Sequence, residues 1–246
     1  TIEQAVFSNY SDTAFQVSPG QGVLVNTLRG GKYHRSDDLK SKMQHGDIRL
    51  LVDFMLPKGM NSGIYLQGRY EVQLFDSWGK KTVKYHDFGG IYERWDEARG
   101  KGNEGYEGYA PRQNASKAPG LWQTLEIDFQ APRFDAQGKK IANAKVISVK
   151  LNGVIIHENV ELTGPTGGPI SETEVAKGPF MIQGDHGAVA FRNLTVTDLG
   201  SSAALMAPIN YQVYYGNFKS IQEFITKKPD ASGVTEKLTW DVSAKP

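Results

Sequence analysis

Apolar side chains recur at every second position along most of this chain, a spacing that a strand buries on one face and a helix scatters around its axis. Ile48, Leu50, Val52 and Phe54 share one parity, while Arg49, Leu51 and Asp53 take the other. Gln123, Leu125, Ile127 and Phe129 alternate in the same way with Trp122, Thr124, Glu126 and Asp128. Ile147, Val149 and Leu151 run into Asn152-Gly153 and out again through residues 154–157. Asn and Gly both tolerate positive φ, so this dipeptide predicts a tight hairpin. Residues 180–183 and 189–196 read as a final strand pair, separated by the turn Gly184-Asp185-His186-Gly187. Helical spacing is weak and confined to residues 220–226. The 27 glycines and 11 prolines fall in short clusters that punctuate many short strands. The expectation is an all-β fold, an antiparallel sandwich of two sheets.

A chain of 246 residues can form one large β domain or two small ones. Residues 1–199 read as the sandwich, 200–208 as a small-residue linker, and 209–246 as a tail. Two connections are unusually long, 96–120 and 163–179, and loops of that length serve a function or simply decorate the surface. With 28 basic and 27 acidic residues the net charge is +1, which supplies no field for nucleic acid or an anionic membrane. The absence of cysteine excludes disulfides, thiolate metal sites and a cysteine nucleophile. No apolar run reaches the roughly 18 residues of a membrane-spanning helix. Thr1 is preceded by neither methionine nor an apolar leader, which predicts a removed signal peptide or a chain cut at that point.

The chemistry-bearing stretch is Asn61-Ser62-Gly63-Ile64-Tyr65 followed by Tyr70-Glu71-Val72-Gln73-Leu74-Phe75-Asp76. With Gly68-Arg69 as a turn, these are two antiparallel strands. Glu71 and Gln73 then share a face about 7 Å apart. A carboxyl beside an amide can hydrogen-bond paired sugar hydroxyls, and the carboxyl can serve as a general acid or base. The plainer alternative is a solvated outer face. Tyr65, Phe75, Trp78 and Tyr92 are candidate platforms for a sugar ring, although strand aromatics are more often core. His186, in its Gly-Asp-His-Gly turn, is expected to be presented rather than buried, where an imidazole suits proton transfer; capping its own turn is the competing role. The remaining histidines show no zinc spacing.

The ordered set formed by Asn61-Ser62-Gly63, Tyr70-Glu71-Val72-Gln73 with Asp76, Gly89-Gly90-Ile91-Tyr92, Pro119-Gly120-Leu121-Trp122, Leu151-Asn152-Gly153, Gly164-Pro165-Thr166-Gly167 and Gln183-Gly184-Asp185-His186-Gly187 with Arg192 resembles the 3-keto-disaccharide hydrolase family. The resemblance covers residues 46–198. It implies a concanavalin A-like jelly roll and a bacterial periplasmic or secreted protein acting on glycosides oxidised at carbon 3. Residues 93–112 are longer than the family's usual connection. A second stretch, Asn210 to Phe218 with Pro229 and Gly233, resembles the start of the protective-antigen type of sugar-binding domain, cut short at Pro246.

On this footing Glu71 and His186 are the expected catalytic pair, and Asn61, Tyr65, Gln73, Asp76, Tyr92 and Arg192 the expected substrate-binding residues. A divalent metal held by His186 and carboxylates is a further option, as is hydrolysis by Glu71 paired with Asp76 or Glu93. The expected partner is a carbohydrate. The alternative from another class is a non-catalytic carbohydrate-binding module of a larger exported protein. Oligomeric state is not legible.

Overall fold

The structure, a computed structural model, describes residues 2–6, 15–26, 32, 34, 37–200, 209–216 and 227–235. The chain divides into two compact units, Thr1–Leu199 and Gly200–Pro246.

In the first unit a seven-stranded antiparallel sheet runs in the order β1 (Ile2–Val6), β2 (Gln16–Asn26), β15 (Val189–Asp198), β4 (Ile48–Met55), β9 (Gln123–Gln130), β12 (Ala144–Leu151) and β13 (Val154–Leu162). A four-stranded antiparallel sheet has the order β3 (Leu39–His45), β14 (Gly178–Ile182), β5 (Asn61–Leu66) and β6 (Tyr70–Phe75). One apolar core lies between them. Ile48, Leu50, Val52 and Phe54 enter it from the larger sheet, and Ile64, Leu66, Tyr70, Val72 and Leu74 from the smaller. Two sheets that each bury one face in this way form a jelly-roll sandwich of the concanavalin A-like kind. Small ribbons pair β7 (Arg94–Trp95) with β8 (Gly105–Tyr106), and β10 (Arg133–Phe134) with β11 (Lys140–Ala142).

The alternation read from sequence holds where each sheet has one dry face. Along β9, buried and half-buried residues alternate without a break. The β12–β13 hairpin turns at Asn152 and Gly153, with φ of 53° and 82°. The expected pairing of residues 180–183 with 189–196 does not form. β14 pairs with β3 and β5, β15 pairs with β2 and β4, and the turn between them crosses from one sheet to the other. Local alternation marks both strands but carries no information about which sheet each will join.

In the second unit β16 (Ile209–Val213) pairs with β17 (Ala231–Thr235). Of the expected linker 200–208 all but Gly200 lies outside the described residues, as does the weak helical spacing at 220–226. Among those described, no helix is long and apolar enough to cross a membrane.

Candidate functional site

Because Tyr70, Val72 and Leu74 face the core, β6 turns Glu71 and Gln73 to the outer face of the small sheet. On a bare sandwich they would be wet. Here they are 2% and 4% exposed. Two segments cover them. The chain at 91–92 extends the sheet beyond β6, with Ile91 bridged to Val72 and the Tyr92 N–H donating to the Glu71 carbonyl at 3.1 Å. The long connection after β13 then folds across. Its Thr166 hydroxyl accepts the Glu71 N–H at 3.0 Å, and the Gly167 N–H donates to the Glu93 carbonyl at 2.7 Å. Between these covers and the turn 184–187 lies a cavity of about 450 Å³.

Strand register fixes the cavity floor. One row across the sheet runs Lys40, Met181, Tyr65, Glu71. The next places Gly63 opposite Gln73, with the Gln183 N–H donating to the Gly63 carbonyl at 2.9 Å. Gly63 leaves a gap in that second row, and the Glu71 carboxyl leans into it. A β-carbon built on Gly63 would lie 2.0 Å from Glu71 Oε1.

The other oxygen of Glu71, Oε2, lies 2.8 Å from the Tyr65 hydroxyl, which is also 3.0 Å from the Gly167 carbonyl. That hydroxyl has one proton and two acceptors. It donates to Glu71 when the carboxyl is ionised. When the carboxyl is protonated, it can accept from Glu71 and donate to Gly167 instead. Burial pushes the Glu71 carboxyl up to about 8; the Tyr65 hydrogen bond opposes this, and the nearby charges of Asp185 and Asp38 add to it. Burial and the Glu71 charge in turn raise the Tyr65 phenol.

Three side-chain oxygens here are buried without a protein partner: Glu71 Oε1, Asn61 Oδ1 and Gln183 Oε1. An unpaired buried acceptor costs about 1–3 kcal/mol, so three around one cavity mark a place built for donors from elsewhere. Gln73 has its carbonyl oxygen on the Leu74 N–H at 3.0 Å, and its NH2 is the group it can offer the cavity. His186 stands at the rim, its side chain 50% exposed, with Nδ1 paired to the Asp185 carboxylate. The turn that carries them is anchored by the Gly184 N–H on Asp38 Oδ1 at 2.9 Å and by the Asn26 amide on the carbonyls of Gly184 and Gly187.

Of the residues expected from sequence, Glu71, His186, Asn61, Tyr65, Gln73 and Tyr92 line this one cavity, and Asp76 and Arg192 do not. Asp76 closes a turn instead, accepting the N–H groups of Gly59 at 2.9 Å and Trp78 at 3.2 Å. Arg192 lies on the outer face of the other sheet, pairing with Asp53 at 3.3 Å and stacking 4.0 Å over Trp122. Its parity on β15 sends it away from the core, and the core separates that face from the cavity. Tyr65 is no sugar platform, because its hydroxyl is committed to Glu71 and Gly167 and it is 1% exposed. Phe75 and Trp78 do not line the cavity, nor does Glu93.

Asp38, Lys40, Trp95, Gln183 and Asp185 line the cavity without having been singled out. Asp185 and Gln183 flank His186 in sequence, which was a usable signal. Trp95 and Lys40 gave none. Among the described residues no group of three or more histidine and carboxylate side chains is clustered to hold a metal ion, so the donor set does not fit the divalent ion considered above.

A family model described as the 3-keto-alpha-glucoside-1,2-lyase-like domain matches residues 7–197. Among solved structures, one titled "putative glycosyl hydrolase" from Parabacteroides distasonis ATCC 8503 is 25% identical, with a TM-score of 0.53 over 70% of this chain and 74% of its own. A second with that designation and source is 20% identical, with a TM-score of 0.48 over 73% of this chain and 88% of its own. No curated protein matches the chain.

Proposed function

This chain belongs to the 3-keto-alpha-glucoside-1,2-lyase-like family, and on that footing we propose that it is a carbohydrate-active enzyme cleaving the glycosidic bond of 3-keto-glucosides by elimination. The observation that carries the proposal is the Glu71 carboxyl, buried in the wall of the cavity with Oε1 unpartnered, where desolvation pushes it up to about 8. A carboxyl raised in this way can give up a proton near neutrality, which general-acid catalysis needs and sugar binding alone does not require.

A ketone at carbon 3 acidifies the proton on carbon 2. His186, oriented by Asp185, takes that proton as base. The electron pair left on carbon 2 is delocalised into the ketone as an enolate, and the Gln73 NH2 and the Lys40 ammonium are the donors available to its oxygen. As the enolate collapses, carbons 1 and 2 become doubly bonded and the bond from carbon 1 to the leaving oxygen breaks. Glu71 gives its proton to that oxygen. The products are an unsaturated 3-keto sugar and a free alcohol, and no water is consumed. Tyr65 then re-donates to the ionised Glu71 until the carboxyl recovers its proton.

Hydrolysis by two carboxylates fits less well. Asp76 is tied into its turn, and Asp185 is engaged with His186.

The test is turnover of a 3-keto-glucoside by wild type, Glu71→Gln and His186→Ala. Each variant is expected to lose at least about 10²-fold, the low end for a missing general acid or base. Near-wild-type rates in either would remove that residue from the chemistry. Calorimetry against intact oligosaccharides runs alongside. Tight binding with no turnover of the oxidised sugars would make the domain a binding module.

A further inference from the structure

The cavity has two chemically different ends. The small sheet continues past β6 through the strand-like segment at 91–92, so the floor spans β3, β14, β5, β6 and that segment. Four inter-strand spacings of about 4.8 Å make a trough about 19 Å wide. That is room for two rings side by side. Glu71, on β6, lies between the two ends.

At the β3 end the lining is polar: Asp38, Lys40, Asp185 and His186, with the unpaired oxygens of Asn61 and Gln183 close to the middle. At the other end stand Tyr92 and Trp95. Trp95 leaves 53% of its surface in contact with solvent, as Trp78 does at 52%, but of the two only Trp95 lines the cavity. It sits on the β7–β8 ribbon, where it is paired opposite Gly105.

Side-chain contacts brace that ribbon. The Arg94 and Arg99 guanidinium groups lie 5.0 and 4.4 Å from the centre of the Tyr106 ring. Arg94 also donates to the Thr163 hydroxyl at 2.7 Å, which ties the ribbon to the loop after β13. A half-exposed indole on a braced ribbon at the mouth of a cavity offers a flat apolar surface at little cost in ordering.

We propose that Trp95 is the specificity determinant for the leaving group, stacking on the apolar face of a ring departing from carbon 1, while the polar end holds the oxidised sugar. The inference rests on the elimination reading. The ring it selects is either a second pyranose, through its axial C–H face, or an aryl group. Both present the same flat apolar chemistry. A methyl leaving group has no such face to offer.

The experiment compares wild type, Trp95→Ala and Trp95→Phe on three 3-keto-glucosides that carry methyl, phenyl or glucosyl leaving groups. Comparing variants on the same substrate cancels leaving-group reactivity. Trp95→Ala should lower kcat/KM about tenfold on the phenyl or glucosyl substrate, or on both, a factor expected from losing one buried ring face. The methyl substrate should stay within about twofold, and Trp95→Phe should recover most of the loss. Loss confined to one of the two ring substrates identifies which ring the site takes. Equal loss on all three substrates, or none on any, overturns the proposal. Affinities of unoxidised methyl, phenyl and glucosyl glucosides are measured by calorimetry on the same variants. If wild type turns over nothing, the elimination reading falls and the binding ratio still decides Trp95. A wild type that binds the ring glycosides no better than the methyl one refutes the Trp95 assignment.

Discussion

Gly63→Ala tests how the Glu71 carboxyl is held. The new β-carbon would lie 2.0 Å from Glu71 Oε1, 2.8 Å from Cδ and 3.0 Å from Cγ. Ordinary contact begins near 3.4 Å, so Oε1 has to retreat by about 1.4 Å. It cannot do so freely, because Oε2 is held at 2.8 Å by Tyr65 and the side chain is buried. The φ of Gly63 is not positive, so alanine is allowed by the backbone and the effect reports the contact alone. A displacement of about 1 Å in a catalytic group can cost about 10²-fold. The expected result is a kcat about 10²-fold lower on a 3-keto-glucoside with KM changed by less than about threefold. Overpacking should also cost about 1–3 kcal/mol in denaturant unfolding. In a Glu71→Ala background the obstruction is gone, and most of that stability loss should vanish. Wild-type kcat in Gly63→Ala, or an equal stability loss in both backgrounds, would refute the reasoning.

Glu71 as the acid predicts an alkaline limb near pH 8 in kcat/KM, absent from whatever activity Glu71→Gln retains; the rate profile across pH 6–10 checks this. Tyr65→Phe removes the hydrogen bond that favours the ionised carboxyl, so the limb should move to higher pH; a shift to lower pH would contradict the assignment. The same carboxyl acts on stability. Its folded value of about 8 lies above the ordinary 4.5, so its stabilising contribution is whole below pH 4.5, falls as the pH rises, and is lost above about 8. The Tm of wild type should therefore drop relative to Glu71→Gln across that window, and a constant gap would argue against a buried, proton-holding carboxyl. Arg192→Ala should leave turnover within about twofold and cost about 1 kcal/mol in unfolding, the value of a partly exposed stack and ion pair. A large kcat loss there would return Arg192 to the site.

The polar face of β6 was legible because a strand's parity is local: once Tyr70, Val72 and Leu74 are core, Glu71 and Gln73 must point outward. The same rule yields the hairpin at Asn152-Gly153 and the dry faces of β4 and β9. Parity could not say that β14 and β15 would part to different sheets, nor that Arg192 would end on the far side of the core from the cavity. Partner choice depends on contacts remote in sequence, and no local period encodes it.

Composition and alternation by themselves established an all-β sandwich with a carboxyl and an amide displayed side by side. Only the tertiary structure turned that display into a site. Thr166, 95 residues away, caps the Glu71 N–H, and the loop bearing it excludes the water that would otherwise hold the carboxyl near its ordinary value. Desolvation is a property of what covers a group, and what covers Glu71 comes from segments brought together only when the chain folds.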